Sequence, residues 1–360
     1  MSKKPVLRVF SAAAVAIGLA LAVPATAAQA HPGHPPVTGT PTDPDEAQYG
    51  RGWEKLAPIA GGPRQEHGVA ALNGKVYVVG GIRPDGSGGL TTVADVEVYD
   101  PARDTWEHAA PLPVAMNHPN LAVVGGRLHV LGGLSGGASW EALGDSFVYS
   151  PGTDSWRELP SMPEGTERGS SAIGVRGTTV YLAGGMRTLT PGPGGLQDTV
   201  DLVQSYDAVT GRWRALPSLP QARDHVGGAV VGNTLYVVGG RDRGQVNVRD
   251  SVYALNLSTH RWSARAPMPT ARGGIATAVV GDTIYAFGGE GNTDDSTSIF
   301  DQVEAYDTSR NRWTALAPMP VPRHGTAATS IGGTIYIPGG GDHGGGSPMD
   351  VNDAFRPRLH

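Results

Sequence analysis

Val76-Tyr77-Val78-Val79-Gly80-Gly81 is a short apolar run with a central tyrosine, closed by two glycines. The same phrase returns as Val180-Tyr181-Leu182-Ala183-Gly184-Gly185, Leu235-Tyr236-Val237-Val238-Gly239-Gly240, Ile284-Tyr285-Ala286-Phe287-Gly288-Gly289 and Ile335-Tyr336-Ile337-Pro338-Gly339-Gly340. A sixth copy, before Gly132-Gly133, carries His129 in the tyrosine place. Successive glycine pairs stand 52, 52, 55, 49 and 51 residues apart, so one unit has been repeated six times. A period near 50 exceeds that of helical solenoids and points to a propeller-type array, in which each unit buries its faces against its neighbours.

Each pair is followed by a polar, glycine-rich stretch and then by a second apolar run ending in Tyr99-Asp100, Tyr206-Asp207 or Tyr306-Asp307, with Tyr149-Ser150 and Leu255-Asn256 as weaker copies. Seven residues past that aromatic or leucine stand Trp106, Trp156, Trp213, Trp262 and Trp313. Segments such as Leu216-Pro217-Ser218-Leu219-Pro220 close the unit. This sequence of diglycine, tyrosine, spacer and tryptophan resembles the kelch motif over about residues 53–355. The pattern implies an all-β, six-bladed kelch β-propeller with four antiparallel strands per blade. Strands that are apolar on both faces suit sheets packed on both sides. The glycines are expected to let one strand approach a bulky ring closely, because they lack a β-carbon.

Trp53 precedes the first glycine pair, whereas the sixth unit ends near Phe355 without a tryptophan of its own. A ring closed by the Trp53 strand joining the C-terminal blade, three strands plus one, would leave no open sheet edge. The second and sixth blades are expected to be irregular, because Met116 and Pro338 break the pattern and proline cannot donate to a ladder.

Residues 1–30 read as a secretory signal peptide. Lys3, Lys4 and Arg8 precede an apolar stretch from Val9 to Val23, too short to span a bilayer, and Ala25-Thr26-Ala27 and Ala28-Gln29-Ala30 offer cleavage sites. Residues 31–52, with Pro32, Pro35, Pro36 and Pro44, read as a disordered Pro-rich linker whose His31 and His34 are weak metal candidates. The propeller is assigned to 53–360. A secreted or periplasmic, monomeric, non-membrane-spanning protein is expected. With no cysteine the chain has no disulfide, so packing and ring closure must supply its stability. The formal charge is −5, and residues 1–30 hold three basic and no acidic residues, leaving −8 from residue 31 onward. That balance speaks against a nucleic-acid partner and against electrostatic attachment to anionic lipid.

Connections between second and third strands are long (82–92, 134–144, 186–199, 241–249, 290–300, 341–348), whereas the opposite rim has brief turns such as Asn73-Gly74 and Gly332-Gly333. Binding is therefore expected on the long-loop rim near the central channel. Counting sixteen residues back from each glycine pair gives Arg64, Met116, Arg168, Arg223, Arg272 and Arg323. Nearby stand Glu66, His67, Asn117, His118, Asp224, His225 and His324, and Glu290 follows the fifth pair. A mouth ringed by guanidinium, imidazole and carboxylate would suit an anionic or polar carbohydrate, or a protein surface. The alternative is structural: arginine here belongs to the repeat pattern that the chain resembles, and it can serve turn carbonyls or a neighbouring carboxylate. The spacing of the histidines assigns no metal site, and no cofactor is expected.

The enzymes of similar folds can be checked residue by residue. Galactose-oxidase-like proteins need a Tyr–Cys crosslink, which a chain without cysteine cannot form. Nitrile-specifier-like kelch proteins use Glu, Asp and His four apart; Glu290 and Asp294 fit, but Ser298 stands where the histidine should. Exported kelch proteins similar to sialic acid mutarotases bind an acidic sugar with arginine and glutamate, a general match only. Two functions follow: a binding module on the long-loop rim, or a sugar-acid-processing enzyme such as an epimerase with Glu66, Asp224, Glu290 or His225 as acid or base.

Overall fold

The computed structural model describes residues 49–137, 139–190 and 196–357. The segment read as a signal peptide lies outside the described residues, as does the linker except for residues 49–52. Among the described residues there is no helix, and so none long and apolar enough to cross a membrane.

Each repeat forms a four-stranded antiparallel sheet. In the first blade the strands are Gly68–Leu72, Lys75–Val79, Val96–Asp100 and Thr105–Ala109, in that order from inside to outside. The strand before the diglycine is buried on both faces, as its unbroken apolar run requires, whereas the tryptophan strand is largely exposed. The innermost strands of successive blades touch, and that of the sixth blade, Thr329–Ile331, meets Gly68–Leu72, so the ring of six closes.

The closure is the expected one. Trp53–Lys55 pairs with Asn352–Phe355 in the register Trp53↔Phe355 and Glu54↔Ala354. This register repeats in every blade, as Tyr99↔Trp106, Tyr149↔Trp156, Tyr206↔Trp213, Leu255↔Trp262 and Tyr306↔Trp313. Phe355 thus takes the tyrosine place, and its ring lies 4.8 Å from that of Trp53.

The six indoles of the outer strands also fasten one blade to the next. Their Nε1 groups donate to the carbonyls of Ala57, Ala110, Pro160, Pro217, Ala266 and Ala317, each in the connection leaving the preceding blade. The indole offers an apolar body and one N–H donor, so one half-buried or buried tryptophan per unit supplies both apolar area and a directed link.

The glycine pairs do a different job from the one the sequence suggested. A β-carbon on Gly339 would lie 2.5 Å from Arg64 O, and one on Gly80, Gly184 or Gly288 would come closer still to Met116 O, Arg223 O or Arg323 O. What approaches most closely is the carbonyl of the neighbouring blade, joined at Gly339 by the His67 ring at 2.7 Å. Both glycines of most pairs also have positive φ, as at Gly80 (63°) and Gly81 (100°).

The second blade departs from the regular pattern. Its middle strands, Arg127–Ser135 and Trp140–Ser150, run on past the diglycine, with a register shift between Leu143 and Ser146. Trp140–Ser150 then pairs with Met186–Leu189 from the long loop of the third blade. The sixth blade has an inner strand of only three residues, and Pro338 ends its second strand, where its carbonyl accepts from Thr326 Oγ1.

Candidate functional site

The five arginines do not ring an open mouth. Arg64, Arg168, Arg223, Arg272 and Arg323 are between 0% and 1% exposed. Arg64, Arg168 and Arg223 donate to the carbonyl of the first glycine of their own pair, at 3.0, 2.7 and 2.9 Å. Arg272 and Arg323 reach Ala286 O and Ile337 O, which precede theirs. The third strand completes each clamp: Glu97, Glu304 and Asp353 pair with Arg64, Arg272 and Arg323, Gln204 accepts from Arg168, and Tyr253 stacks under Arg223. Burial lowers the pKa of Arg168 and Arg223 to about 10, still leaving both charged. Of the two roles open to them, this geometry fits the structural one, because guanidiniums engaged inside a blade have little left for a ligand.

Two residues further on, each repeat turns its chain toward the axis. Glu66, His118, Ser170, His225, Gly274 and Gly325 each stand fourteen residues before their glycine pair, and all six have positive φ, from 47° to 62°. The left-handed conformation crowds a β-carbon, so glycine is the unstrained choice there, and four blades forgo it. The glycines opposite leave room: a β-carbon on Gly325 would lie 2.6 Å from Glu66 Oε1.

Glu66, His118 and His225 converge. His118 Nε2 lies 2.8 Å from Glu66 Oε2 and 2.9 Å from His225 Nε2. Their far ring nitrogens are held as well, His118 Nδ1 at 2.7 Å from Asn117 Oδ1 and His225 Nδ1 at 2.7 Å from Asp224 Oδ1. Trp140, from the extended hairpin, lies against His118 with ring centroids 5.0 Å apart.

A buried ion network continues toward the long loops. Arg241 donates to Asp224 Oδ1 at 3.1 Å, pairs with Glu290 Oε1, and points Nη2 at His225 Nε2 from 3.1 Å. His324 Nδ1 is 3.5 Å from Glu290 Oε2. Gln197 and Thr199 donate to the Asp224 carboxylate. Burial opposes ionisation of Glu66, yet the facing His118 outweighs it and holds the carboxyl well below its ordinary value. Burial likewise opposes ionisation of Asp224, but its bond to His225 and the Arg241 charge bring it to about 2. Arg241 overcomes burial to hold Glu290 low. Burial and Arg241 both push His225 down, and burial brings His67 to about 4.

Six of the eleven residues singled out in the sequence thus gather at the axis, namely Glu66, His118, Asp224, His225, Glu290 and His324, all no more than 7% exposed. The five arginines stay within their blades. Arg241 was missed, although a signal existed: directly after the glycine pair the other units carry Ile82, Leu134, Met186, Glu290 and Gly341, so Arg241 and Glu290 are the two charged breaks in that column. His129 sits in the core of the second blade, as its tyrosine place implies.

The expected opening is also reversed. A channel of about 390 Å³ is lined by the innermost strands of all six blades, from Glu66, His118 and His225 to Ala71, Val123, Val175 and Thr329 toward the short turns, and by no long-loop residue among those described. On the long-loop side Gln65 donates to Gly345 O and His324 Nε2 meets His343 O, so loop backbone covers the axis. The channel therefore ends at the Glu66–His118–His225 layer.

Residues 167–340 match the model of the KLHDC2/KLHL20/DRC7 Kelch-repeats domain, and residues 63–113 and 116–163 match the Kelch motif. The architecture is that of a kelch propeller, a typical protein-interaction module, and the chain belongs to the kelch-repeat family. It is 42% identical over 300 residues to Kelch-like protein terF of Aspergillus terreus, covering 82% of this chain and 65% of terF. It is 27% identical over 308 residues to human Kelch-like protein 23, covering 86% of this chain and 42% of that protein. The chain thus spans less than two thirds of either relative. The solved structure of YjhT shares the fold, with a TM-score of 0.64 at 18% identity over 82% of this chain and 95% of YjhT.

Proposed function

We propose that the protein is a binding module that docks a protein surface on its long-loop rim. One observation carries this reading: of the three large apolar side chains that are most exposed among the described residues, Leu196 (60%) and Val246 (64%) lie on long loops of adjacent blades. Those loops are tied together by Arg243 N donating to Thr199 Oγ1 at 3.1 Å. Around them stand the partly exposed pairs Arg187–Asp198, Arg243–Asp242 and Arg249–Asp242. Such pairs add little to folding and can exchange partners, so apolar centre and polar surround together have the composition of a docking patch. A polar carbohydrate is the other occupant this rim could take.

Export belongs to this reading on the strength of residues 3–30 alone, and the intact mass of secreted protein beginning at Ala28 or His31 checks it. For the rim, crosslinked partners of wild type are compared with those of a Leu196→Asp/Val246→Asp variant and of Val209→Asp, whose exposed residue lies on an outer turn. Loss of partners in the first and retention in the second is the expected result. Equal retention in both would overturn the proposal.

The channel favours a second reading, a sugar-acid-processing enzyme, because it ends on a carboxylate and two imidazoles within proton-transfer distance of one another. Interconversion of N-acetylneuraminate anomers followed by NMR tests it, and a rate equal to that of buffer would remove it.

A further inference from the structure

We propose that Glu66, His118 and His225 bind a first-row divalent metal ion at the closed end of the axial channel. This rests on neither functional reading above. One ligand atom from each residue lies within 4.8 Å of the other two, and all three side chains are buried. Metal–ligand bonds of roughly 2.0–2.2 Å place ligand atoms about 3–3.5 Å apart. The separations of 2.8 and 2.9 Å are close to that, and the third, from Glu66 to His225, is within 4.8 Å and would have to match it.

The surroundings fix the lone pairs. Thr92 Oγ1 donates to Gly136 O and so accepts from Asn117 Nδ2, which turns Asn117 Oδ1 toward His118 Nδ1. The Asp224 carboxylate faces His225 Nδ1 in the same way. Both Nδ1 atoms must then carry hydrogen, and in the neutral rings both Nε2 lone pairs face each other and the Glu66 carboxylate. A carbonyl or carboxylate behind the ring is the usual outer partner of a metal-bound histidine. With both rings neutral no proton lies between His118 Nε2 and its two neighbours, and a cation there would satisfy all three, taking from Arg241 Nη2 the His225 lone pair it now faces.

Charge gives an independent count. Glu66, Asp224 and Glu290 are buried carboxylates, and among the described residues Arg241 is the one arginine bonded to this cluster, so with neutral imidazoles its charge is −2. A divalent ion would neutralise it. Arg241 is the adverse neighbour, because its Nη2 points at His225 Nε2, but its charge is already engaged by Glu290 and Asp224. The backbone agrees: Gly274 and Gly325 show that the fold accepts glycine at this position, yet Glu66, His118 and His225 are kept there at φ 56°, 49° and 47°. Residual strain of this kind points to use. Two imidazoles and one carboxylate suit Zn²⁺, Fe²⁺ or Mn²⁺, and three protein ligands leave a position open toward the channel for water or a ligand oxygen.

The test is Co²⁺ titration of the full chain after chelator treatment, read by the visible bands of the protein-bound ion, with Zn²⁺ as competitor. One equivalent per chain is expected. Glu66→Gly and His225→Gly, which copy the fifth and sixth blades, should weaken binding by more than the roughly 10–100-fold expected for Asn117→Ala, which removes only an outer partner. A His31→Ala/His34→Ala variant should bind as wild type does. If a glycine variant fails to fold, ring-nitrogen NMR of the wild type with Zn²⁺ decides, since only the His118 and His225 signals should shift. No stoichiometric binding by wild type, or binding that survives Glu66→Gly and His225→Gly, would overturn the proposal; the first result would mean that the imidazoles balance the cluster with protons alone.

Discussion

The position sixteen residues before each glycine pair and the position fourteen before it lie two residues apart, yet the six repeats treat them in opposite ways. The first is Arg in five units, always buried, with its guanidinium on a carbonyl of its own blade. The second reads Glu66, His118, Ser170, His225, Gly274, Gly325. A role that every blade needs is filled by the same residue each time. A role that only the assembled ring needs can be filled once, by different residues from different blades. Uniformity therefore marks the scaffold, and variation at a fixed backbone conformation marks the candidate site.

The contrast can be broken most forcefully at the uniform layer. Arg272→Ala leaves Glu304, 2% exposed, with Thr270 Oγ1 but without its charged partner, and should destabilise the protein by about 3–5 kcal/mol in urea unfolding. An unchanged midpoint would mean that the clamp is dispensable and that the arginines are free for another role. Gly288→Ala comes next. It sets a β-carbon against Arg323 O at a φ of 55°, and a loss of about 2–4 kcal/mol is expected from strain and overlap together.

A smaller effect comes from His129, the one departure in the tyrosine column. Burial lowers its pKa below the ordinary 6.5, against a weak opposing bond to Arg127 O. The unfolded chain then binds the proton more readily, so stability is complete above pH 6.5 and falls as pH drops from there toward the lowered folded value. His129→Tyr should flatten that limb of the stability curve by up to about 1.4 kcal/mol per pH unit. An identical slope in the variant would show that His129 is not responsible. The smallest effect belongs to the axial layer. Ser170→Gly relieves a left-handed residue but loses the bond from His225 N, and the two should cancel to within about 1 kcal/mol by chemical denaturation. A loss as large as that of Arg272→Ala would erase the distinction between the layers.

Much of the fold could be read in advance because six copies amplify a weak signal. One Val-Tyr-Val-Val-Gly-Gly phrase says little, but six in register specify blade, strand count and pairing. The leftover Trp53 was enough to anticipate the closure. The site was legible only as a set of positions. Glu66, His118 and His225 are 52 and 107 residues apart in steps, spacings that match no ligand motif, and only the ring brings their tips together. The arginines were open to misreading for a related reason: charge at the start of a strand suggests a surface, and the carbonyls that receive it inside the blade are invisible in one dimension. Arg241 was overlooked as the first residue of a loop, although it is 2% exposed and joins three of the axial groups.

By itself the sequence determined the repeat, its sixfold count and the way the ends meet, because apolar periodicity and turn chemistry are local and each unit states them again. Only the tertiary structure decided which charges lie inside, which end of the channel is covered, and which three side chains share one point on the axis. Those outcomes depend on how six blades face one another across a centre, and that distance is not written along the chain.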